Sequence, residues 1–193
     1  MPRVGRQDEL AKRACAVDTW LANRAANQTP SVPCRVITDA HFEAQDPPDP
    51  PGKRIAHVWT DGACVPTNPG WMGVGVMVEI DGLKETHSES LGFGTNNIAE
   101  IAAVKRGIAM ATNRGLDGIV VYTDSQYAIG VIAKRWKAKK NVELIDDTKR
   151  AISACGAHVE FRWVRGHCGV EGNEIADELA DAAAVPIACP QMP

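Results

Sequence analysis

The sequence has no excess of positive charge, no C-x-x-C pair and no long apolar run. With a net charge of −3, the chain has no global basic field to hold nucleic acid, so a polyanion site must be a local patch or must use a metal. A structural zinc site is not expected without paired cysteines. No run approaches the roughly 18 apolar residues that span a bilayer, so we expect no membrane partner. The N-terminus shows no apolar signal core, and Asp8 and Glu9 argue against a transit peptide.

The six cysteines are spread singly along a chain of 193 residues that is 45% hydrophobic. A chain of this length can bury a core without disulfide bonds. We therefore interpret the cysteines as reduced thiols and predict a cytoplasmic protein.

A proline-rich segment divides the chain and is predicted to be stiff and extended. Before it, residues 1–27 show apolar residues at helical spacing, whereas residues 28–44 are ambiguous. The amphipathic helix is expected to dock on the rest of the chain or to mediate self-association. The predicted parts are an N-terminal helical extension of unknown role, a linker, a main domain and a loose C-terminal tail, at residues 1–44, 45–53, 54–184 and 185–193.

Hydrophobic periodicity predicts the element order β-β-β-α-β-α-α-β-α for the main domain. Asp81-Gly82 is a hairpin signal between the second and third strands, and Asn96 or Asn97 can cap the first helix. Strands are predicted at 54–60, 73–79, 84–92, 118–123 and 158–164. Helices are predicted at 96–113, from 125, at 142–155 and from 171 or 173, the last with Ile175, Leu179 and Ala182 facing inward.

Two of the predicted strands end in the same dipeptide, Thr-Asp. Asp61 follows the first strand, and Asp124 follows a short apolar strand of the buried central kind. The helix between them suggests that the two strands are neighbours in one sheet, and ligands gather at the carboxyl ends of strands in open α/β sheets. Alone, Thr-Asp-Gly most often marks a turn. Together, the two aspartates indicate a shared site, at which Gly62 can turn the backbone or let it approach a ligand closely.

Three further polar residues are candidates for the same site. Glu100 lies four residues before Val104, on the inward edge of a helix, although a glutamate near a helix N-terminus also favours the helix dipole. Asp177 lies one position from an apolar helix edge, where a surface role is the alternative. His167 stands in a loop flanked by glycines, so it is expected to be mobile and, beside carboxylates, suited to carry protons.

A compact basic run covers residues 134–140 and holds five cations and one tryptophan. One interpretation is a solvated helix end, where cations suit the dipole. The other is a contact with a phosphate backbone that includes an aromatic stacking platform. Both remain open at this point, and the candidate substrate contacts are Lys134, Arg135, Trp136 and Lys137.

Four motifs follow one another along the main domain. They are Thr60-Asp61-Gly62-Ala63-Cys64 with Asn68-Pro69-Gly70, Thr95-Asn96-Asn97-Ile98-Ala99-Glu100, Thr123-Asp124-Ser125-Gln126-Tyr127, and Gly166-His167 through Gly172-Asn173-Glu174 to Asp177-Glu178-Leu179-Ala180. In this order they resemble type 1 ribonuclease H, over about residues 53–184. The resemblance implies an α/β, ribonuclease H-like fold, in which a five-stranded mixed sheet is flanked by helices on both faces.

The resemblance also implies a function and a set of site residues. The expected activity is metal-dependent endonucleolytic hydrolysis of the RNA strand of an RNA–DNA hybrid, leaving 5′-phosphate and 3′-hydroxyl ends. His167 would assist proton movement or product release. Two Mg²⁺ ions, with Mn²⁺ as a possible substitute, would be held by Asp61, Glu100, Asp124 and Asp177. Family positions that contact the hybrid are matched by Cys64, Asn68, Thr95, Asn96, Asn97 and Gln126, and side-chain amides can both donate to and accept from 2′-hydroxyls.

Two departures from the family pattern concern the substrate. Residues 65–67 lengthen the first turn, and the basic run is shorter than the protrusion of many bacterial and animal members. Trp136 is the candidate to replace the DNA-stacking tryptophan. The alternatives are an integrase- or junction-resolvase-like nuclease on the same fold, or a hybrid-binding module that has lost activity.

Overall fold

The computed structural model describes residues 34–37, for which only the backbone is considered, and residues 49–186. The predicted helix over residues 1–27, with its expected docking or self-association, lies outside the described residues. So do the first part of the predicted linker and most of the predicted tail.

The strands form one mixed sheet. Their bounds are β1 Cys34–Ile37, β2 Ile55–Val65, β3 Gly70–Ile80, β4 Leu83–Gly94, β5 Gly118–Thr123 and β6 His158–Trp163. They lie in the order β1-β6-β5-β2-β3-β4, with parallel pairing from β1 to β2 and antiparallel pairing from β2 to β4. Five of these strands are the predicted ones, and the mixed sheet is confirmed. The sixth, β1, comes from residues 28–44, for which the sequence was ambiguous.

Four helices accompany the sheet in the described part of the chain. They are α1 Asn96–Ala111, α2 Gln126–Ile132, α3 Val142–Ala154 and α4 Glu171–Ala183. The predicted cap of α1 is wrong by one residue, because the extended Thr95 precedes the first helical turn. The side chain of Asn96 instead donates a hydrogen bond to Glu100 Oε1 at 3.3 Å. None of these four helices is long and apolar enough to cross a membrane.

The larger core lies between the sheet and α1, α2 and α3. Alternate residues of the central strands, such as Val58, Val121 and Phe161, belong to this core. The predicted apolar stripe of α1 is buried in this core, at Ile101, Val104, Ile108 and Ala111. Large apolar side chains on both surfaces therefore hold α1 to the sheet.

The opposite face of the sheet is covered by α4, and the predicted inward stripe of this helix is wrong. Ala182 is exposed and Ile175 and Leu179 are only half-buried. The buried stripe consists of smaller residues, namely Gly172, Asn173, Ala176, Ala180 and Ala183.

Small residues let α4 lie directly on β3. A Cβ on Gly73 would overlap Ala180 O, and a Cβ on Gly75 would overlap Ala176 O. Because neither surface carries a large side chain at these points, the helix backbone contacts the strand backbone. The contact depends on the absence of side chains, so the largest apolar residues of α4 do not mark it in the sequence.

Strand β2 continues past the point at which the sequence predicted it to end. Its parallel pairing with β5 stops at Trp59↔Tyr122, whereas its antiparallel pairing with β3 continues to Val65↔Trp71. Asp61 therefore lies within β2, two residues beyond the last pair with β5. The neighbouring strands β2 and β5 are parallel, as the two Thr-Asp endings predicted.

Candidate active site

Three carboxylates from different elements meet at the carboxyl end of β5. Asp61 comes from β2, Glu100 from the first turns of α1, and Asp124 directly follows β5. Each offers an oxygen atom, and these oxygens lie within 4.8 Å of one another. Asp61 and Glu100 are buried, whereas Asp124 is half-buried. The site thus joins two central strands to the helix on one face of the sheet.

Gly62 explains how Glu100 reaches this position. A Cβ on Gly62 would overlap backbone atoms of Ala99 and Glu100. Any larger residue would hold α1 away from β2, and Glu100 would move with the helix. The sequence analysis expected either a turn or a close ligand approach at this glycine. The close approach is real, but it is made by the helix.

The three carboxylates strongly disfavour their own ionisation. Burial, followed by the charges of Asp124 and Asp177, raises the pKa of Asp61 to about 7. Burial and the charges of Asp61 and Asp124 raise the pKa of Glu100 well above its ordinary value. Burial and the charge of Asp177 raise the pKa of Asp124. Ionised together, these groups need a cation to offset their repulsion.

The donor atoms fit a hard divalent cation. Glu100 Oε2 is buried and accepts no hydrogen bond from the residues that the structure describes. Such an oxygen is costly to bury unless something else binds it. All the available donors are carboxylate oxygens, the ligand type that Mg²⁺ prefers. The cluster could therefore hold a metal ion, with Glu100 Oε2 as one ligand.

Asp177 approaches the cluster from α4, on the other face of the sheet. Its charge contributes to the raised pKa of Asp61, and its Oδ2 lies 3.4 Å from Nδ1 of His167. The histidine side chain is 75% exposed, in the loop after β6. The structure thus brings the predicted fourth carboxylate and the predicted histidine to the edge of the cluster.

The predicted substrate contacts around the start of α1 form a connected group. The thiol of Cys64 lies 4.0 Å from Asn68 Oδ1, and the same oxygen accepts a hydrogen bond from the Asn96 N–H at 3.3 Å. Asn96 then donates to Glu100, so the group reaches the carboxylates. Thr95 lies beside it as the residue before the helix.

Two other predicted contacts are exposed on neighbouring elements. Asn97 lies on the first turn of α1, and Gln126 is the first residue of α2, two positions after Asp124. Both side chains are available to a ligand that covers the carboxylate cluster.

The basic run is a loop between α2 and α3, and not the helix end that one interpretation assumed. Its five cationic residues are exposed. Trp136 is 51% exposed; its ring lies against Gly130, and its backbone N–H donates to Gly130 O at 3.0 Å. The tryptophan is therefore supported on one side by α2 and open on the other.

One contact with the cluster was not predicted. The indole Nε1 of Trp163, at the end of β6, donates to the backbone O of Asp124 at 2.9 Å. The register of the parallel pair places Trp163 opposite Thr123. The alternation of apolar and polar residues predicted strand β6. It could not predict this hydrogen bond, because the bond forms only when β5 and β6 are paired.

Comparison with known proteins identifies the class. Residues 53–185 match the family model for RNase H, and the chain belongs to this family. It is therefore an enzyme, an endoribonuclease that hydrolyses phosphodiester bonds, and the resemblance to type 1 ribonuclease H is confirmed.

Individual relatives match about two thirds of the chain. A ribonuclease H of Desulforamulus reducens is 38% identical over 139 residues, which are 66% of this chain and 86% of the relative. The ribonuclease H of Chromobacterium violaceum is 42% identical over 137 residues, 64% of this chain and 90% of the relative. The crystal structure of RNase H1 from the halophilic archaeon Halobacterium salinarum is 27% identical, with a TM-score of 0.54, and the match covers 67% of this chain and 96% of that one.

Proposed function

We propose that this protein hydrolyses the RNA strand of RNA–DNA hybrids and leaves 5′-phosphate and 3′-hydroxyl ends. The observation that carries the proposal is the convergence of Asp61, Glu100 and Asp124 on the fold of a ribonuclease H. Phosphodiester hydrolysis develops negative charge on the phosphate and leaving oxygens. Cations held by a carboxylate cluster would stabilise this charge and activate the attacking water.

Asp61, Glu100, Asp124 and Asp177 would hold two Mg²⁺ ions, with Mn²⁺ as a substitute. When bound, the ions supply the charge that activates water and stabilises the leaving oxygen of an in-line displacement. The protein contributes the geometry: β2 and β5 fix the two central aspartates, and α1 and α4 add one carboxylate each from opposite faces of the sheet.

His167 transfers protons at the edge of this site. Its ring is exposed to solvent, and Nδ1 faces Asp177 at 3.4 Å. Asp177 can orient the ring, and the opposite nitrogen is then directed away from this carboxylate. We expect the histidine to exchange protons between the reacting groups and water, or to assist release of the product.

The polar group around the start of α1 recognises the hybrid. Asn68, Asn96 and Asn97 present amides, which can both donate to and accept from 2′-hydroxyls. Cys64, Thr95 and Gln126 flank the same surface and contact the sugar-phosphate backbones. Lys134, Arg135 and Lys137 contact phosphates of the DNA strand, and the open face of Trp136 stacks on it.

The decisive experiment is cleavage of a labelled hybrid by Asp61→Asn and Asp124→Asn. Each variant keeps the size of the side chain but removes a negative charge, so we expect a loss of at least about a hundredfold in kcat with Mg²⁺. Asp146→Asn, which changes an exposed carboxylate of α3, is the matched control and should cleave normally. Near-normal cleavage by either site variant would end the metal-site assignment.

The same assay separates the alternatives. Equal cutting of duplex DNA would favour an integrase- or junction-resolvase-like nuclease, which the match to the RNase H family makes less well supported. Absence of turnover with both Mg²⁺ and Mn²⁺ would favour an inactive hybrid-binding module, against which the complete acidic set argues.

The contribution of the basic loop can be measured through salt. Replacing Lys137, Lys139 and Lys140 together by alanine should weaken hybrid binding and reduce the salt slope by about one unit for each phosphate that is no longer neutralised. Lys84→Ala removes a cation that bonds to Glu171, far along the sheet, and serves as the control. If both proteins kept the wild-type slope, the loop would be an ordinary solvated surface.

A cytoplasmic location is part of the proposal and is supported by cysteine chemistry. Cys64, Cys155 and Cys168 are free thiols in the described part of the chain. Isolated thiols of this kind suit a reducing compartment.

A further inference from the structure

A single segment at the end of β6 surrounds Asp124. Trp163 Nε1 donates to the Asp124 backbone O at 2.9 Å, and the next residue, Val164, donates its N–H to Thr123 O at 3.1 Å. The backbone on both sides of the carboxylate is thus tied to one neighbouring segment.

Gly166 completes this segment and limits where the carboxylate can lie. A Cβ on Gly166 would overlap Asp124 Oδ2 and would lie 3.4 Å from Asp124 Cγ. The backbone of Gly166 is outside the left-handed region, so its conformation does not itself require glycine. The reason for glycine at this position is the room that it leaves for the carboxylate.

We propose that Trp163 and Gly166 are positioning residues that set the place of the Asp124 carboxylate, and through it the affinity of the acidic cluster for a divalent cation. Trp163 holds the backbone of Asp124 from one side, and Gly166 leaves one space for its oxygen on the other. The proposal rests on the proposed metal site. Neither Trp163 nor Gly166 is itself a proposed metal ligand.

The steric half of the proposal is tested with Gly166→Ala. The atom that the new Cβ meets is the end of a side chain and can swing away, so the protein should fold normally while Asp124 loses its position. The measurement is Mn²⁺ binding to the full chain without substrate, by titration calorimetry. We expect binding to weaken by about tenfold, and hybrid cleavage to recover as the Mg²⁺ concentration is raised. Cys168→Ala, in the same exposed loop, should bind Mn²⁺ as the wild type does.

The hydrogen-bonding half is tested with Trp163→Phe. This change keeps an aromatic ring but removes the N–H donor, and we again expect Mn²⁺ binding to weaken by about tenfold. Trp59→Phe is the matched control, because Trp59 Nε1 is buried without a partner among the described residues. It should lose ring volume but keep its Mn²⁺ affinity. If Trp163→Phe did not fold, Gly166→Ala would decide the question alone.

Combination with Asp124→Asn shows whether both residues act through Asp124. In that background the effects of Gly166→Ala and Trp163→Phe on Mn²⁺ affinity should largely disappear, because the oxygen that they position is no longer a charged ligand. Wild-type affinity in both single variants, or undiminished effects in the Asp124→Asn background, would overturn the proposal. Wild-type Mn²⁺ affinity in Asp124→Asn alone would instead overturn the proposed metal site.

Discussion

The two faces of the sheet each contribute a helix and a carboxylate, but they are built in different ways. On one face, α1 packs through large apolar residues and brings the buried Glu100. On the other, α4 lies on Gly73 and Gly75 through alanines and brings Asp177, which is 27% exposed. Apart from the close approach at Gly62, burial of apolar area attaches the first helix, whereas close backbone approach places the second. A helix can therefore be fixed as firmly by missing side chains as by large ones.

The largest loss of stability is expected from a substitution at Ile108 of α1. Its side chain is fully buried between α1 and the sheet, so Ile108→Ala removes contacts and leaves a cavity. We expect the free energy of unfolding to fall by about 2–5 kcal/mol, measured by urea denaturation. Met110→Ala on the same helix changes a half-buried side chain and should cost less. Equal losses would mean that burial does not distinguish these two positions.

The second prediction tests whether the contact between α4 and β3, which lacks large side chains, is also sensitive to substitution. Gly75→Ala adds one carbon that meets backbone atoms of Ala176 and Ala180, which cannot move aside without shifting α4. We expect a loss of about 1–3 kcal/mol in urea denaturation. Gly118→Ala is the control, because its Cβ would meet the movable end of Ile55 at 2.8 Å. If Gly75→Ala had the stability of the wild type, α4 would not be closely packed on β3.

A smaller effect of opposite sign is expected at Asp61, which lies between the two helices. Its pKa in the folded protein, about 7, lies above its unfolded value, so ionisation at higher pH costs stability. In chelator at pH 8, Asp61→Asn should be more stable than the wild type by on the order of 2 kcal/mol. Added Mg²⁺ should stabilise the wild type more than the variant.

The control for Asp61→Asn is Asp181→Asn, an exposed position on α4. It should leave stability in chelator nearly unchanged, because its charge is solvated in both states. A destabilised Asp61→Asn in chelator would contradict the view that the carboxylates repel one another.

The sequence predicted those parts of the fold that depend on large side chains and on turn chemistry. The apolar stripe of α1 gave the helix and its buried face, and the matching endings at Asp61 and Asp124 gave two adjacent parallel strands. The buried face of α4 was missed because its largest apolar residues, Ile175 and Leu179, lie beside the buried stripe, which is made of smaller residues. β1 was missed because a four-residue strand carries too short a pattern to distinguish it.

The residues of the candidate site could be predicted from the sequence, but the contacts that hold Asp124 in place could not. Family resemblance named the four carboxylates and the polar residues that match family substrate contacts, several of which the structure brings together. The contacts of Trp163 and Gly166 with Asp124 join residues about forty positions apart in the chain, and they arise only after β5 and β6 pair. No spacing rule within a single strand contains that information.

The early end of pairing between β2 and β5 has a consequence for how such a site could be destroyed. Beyond Trp59, no strand of the described residues pairs with the edge of β2 that faces β5, and the acidic cluster lies where this pairing ends. If β5 were extended by one or two residues, its pairing with β2 would continue past Trp59, and backbone would occupy the place of the carboxylates. Catalysis in this architecture therefore depends on a sheet that stops on one side while it continues on the other.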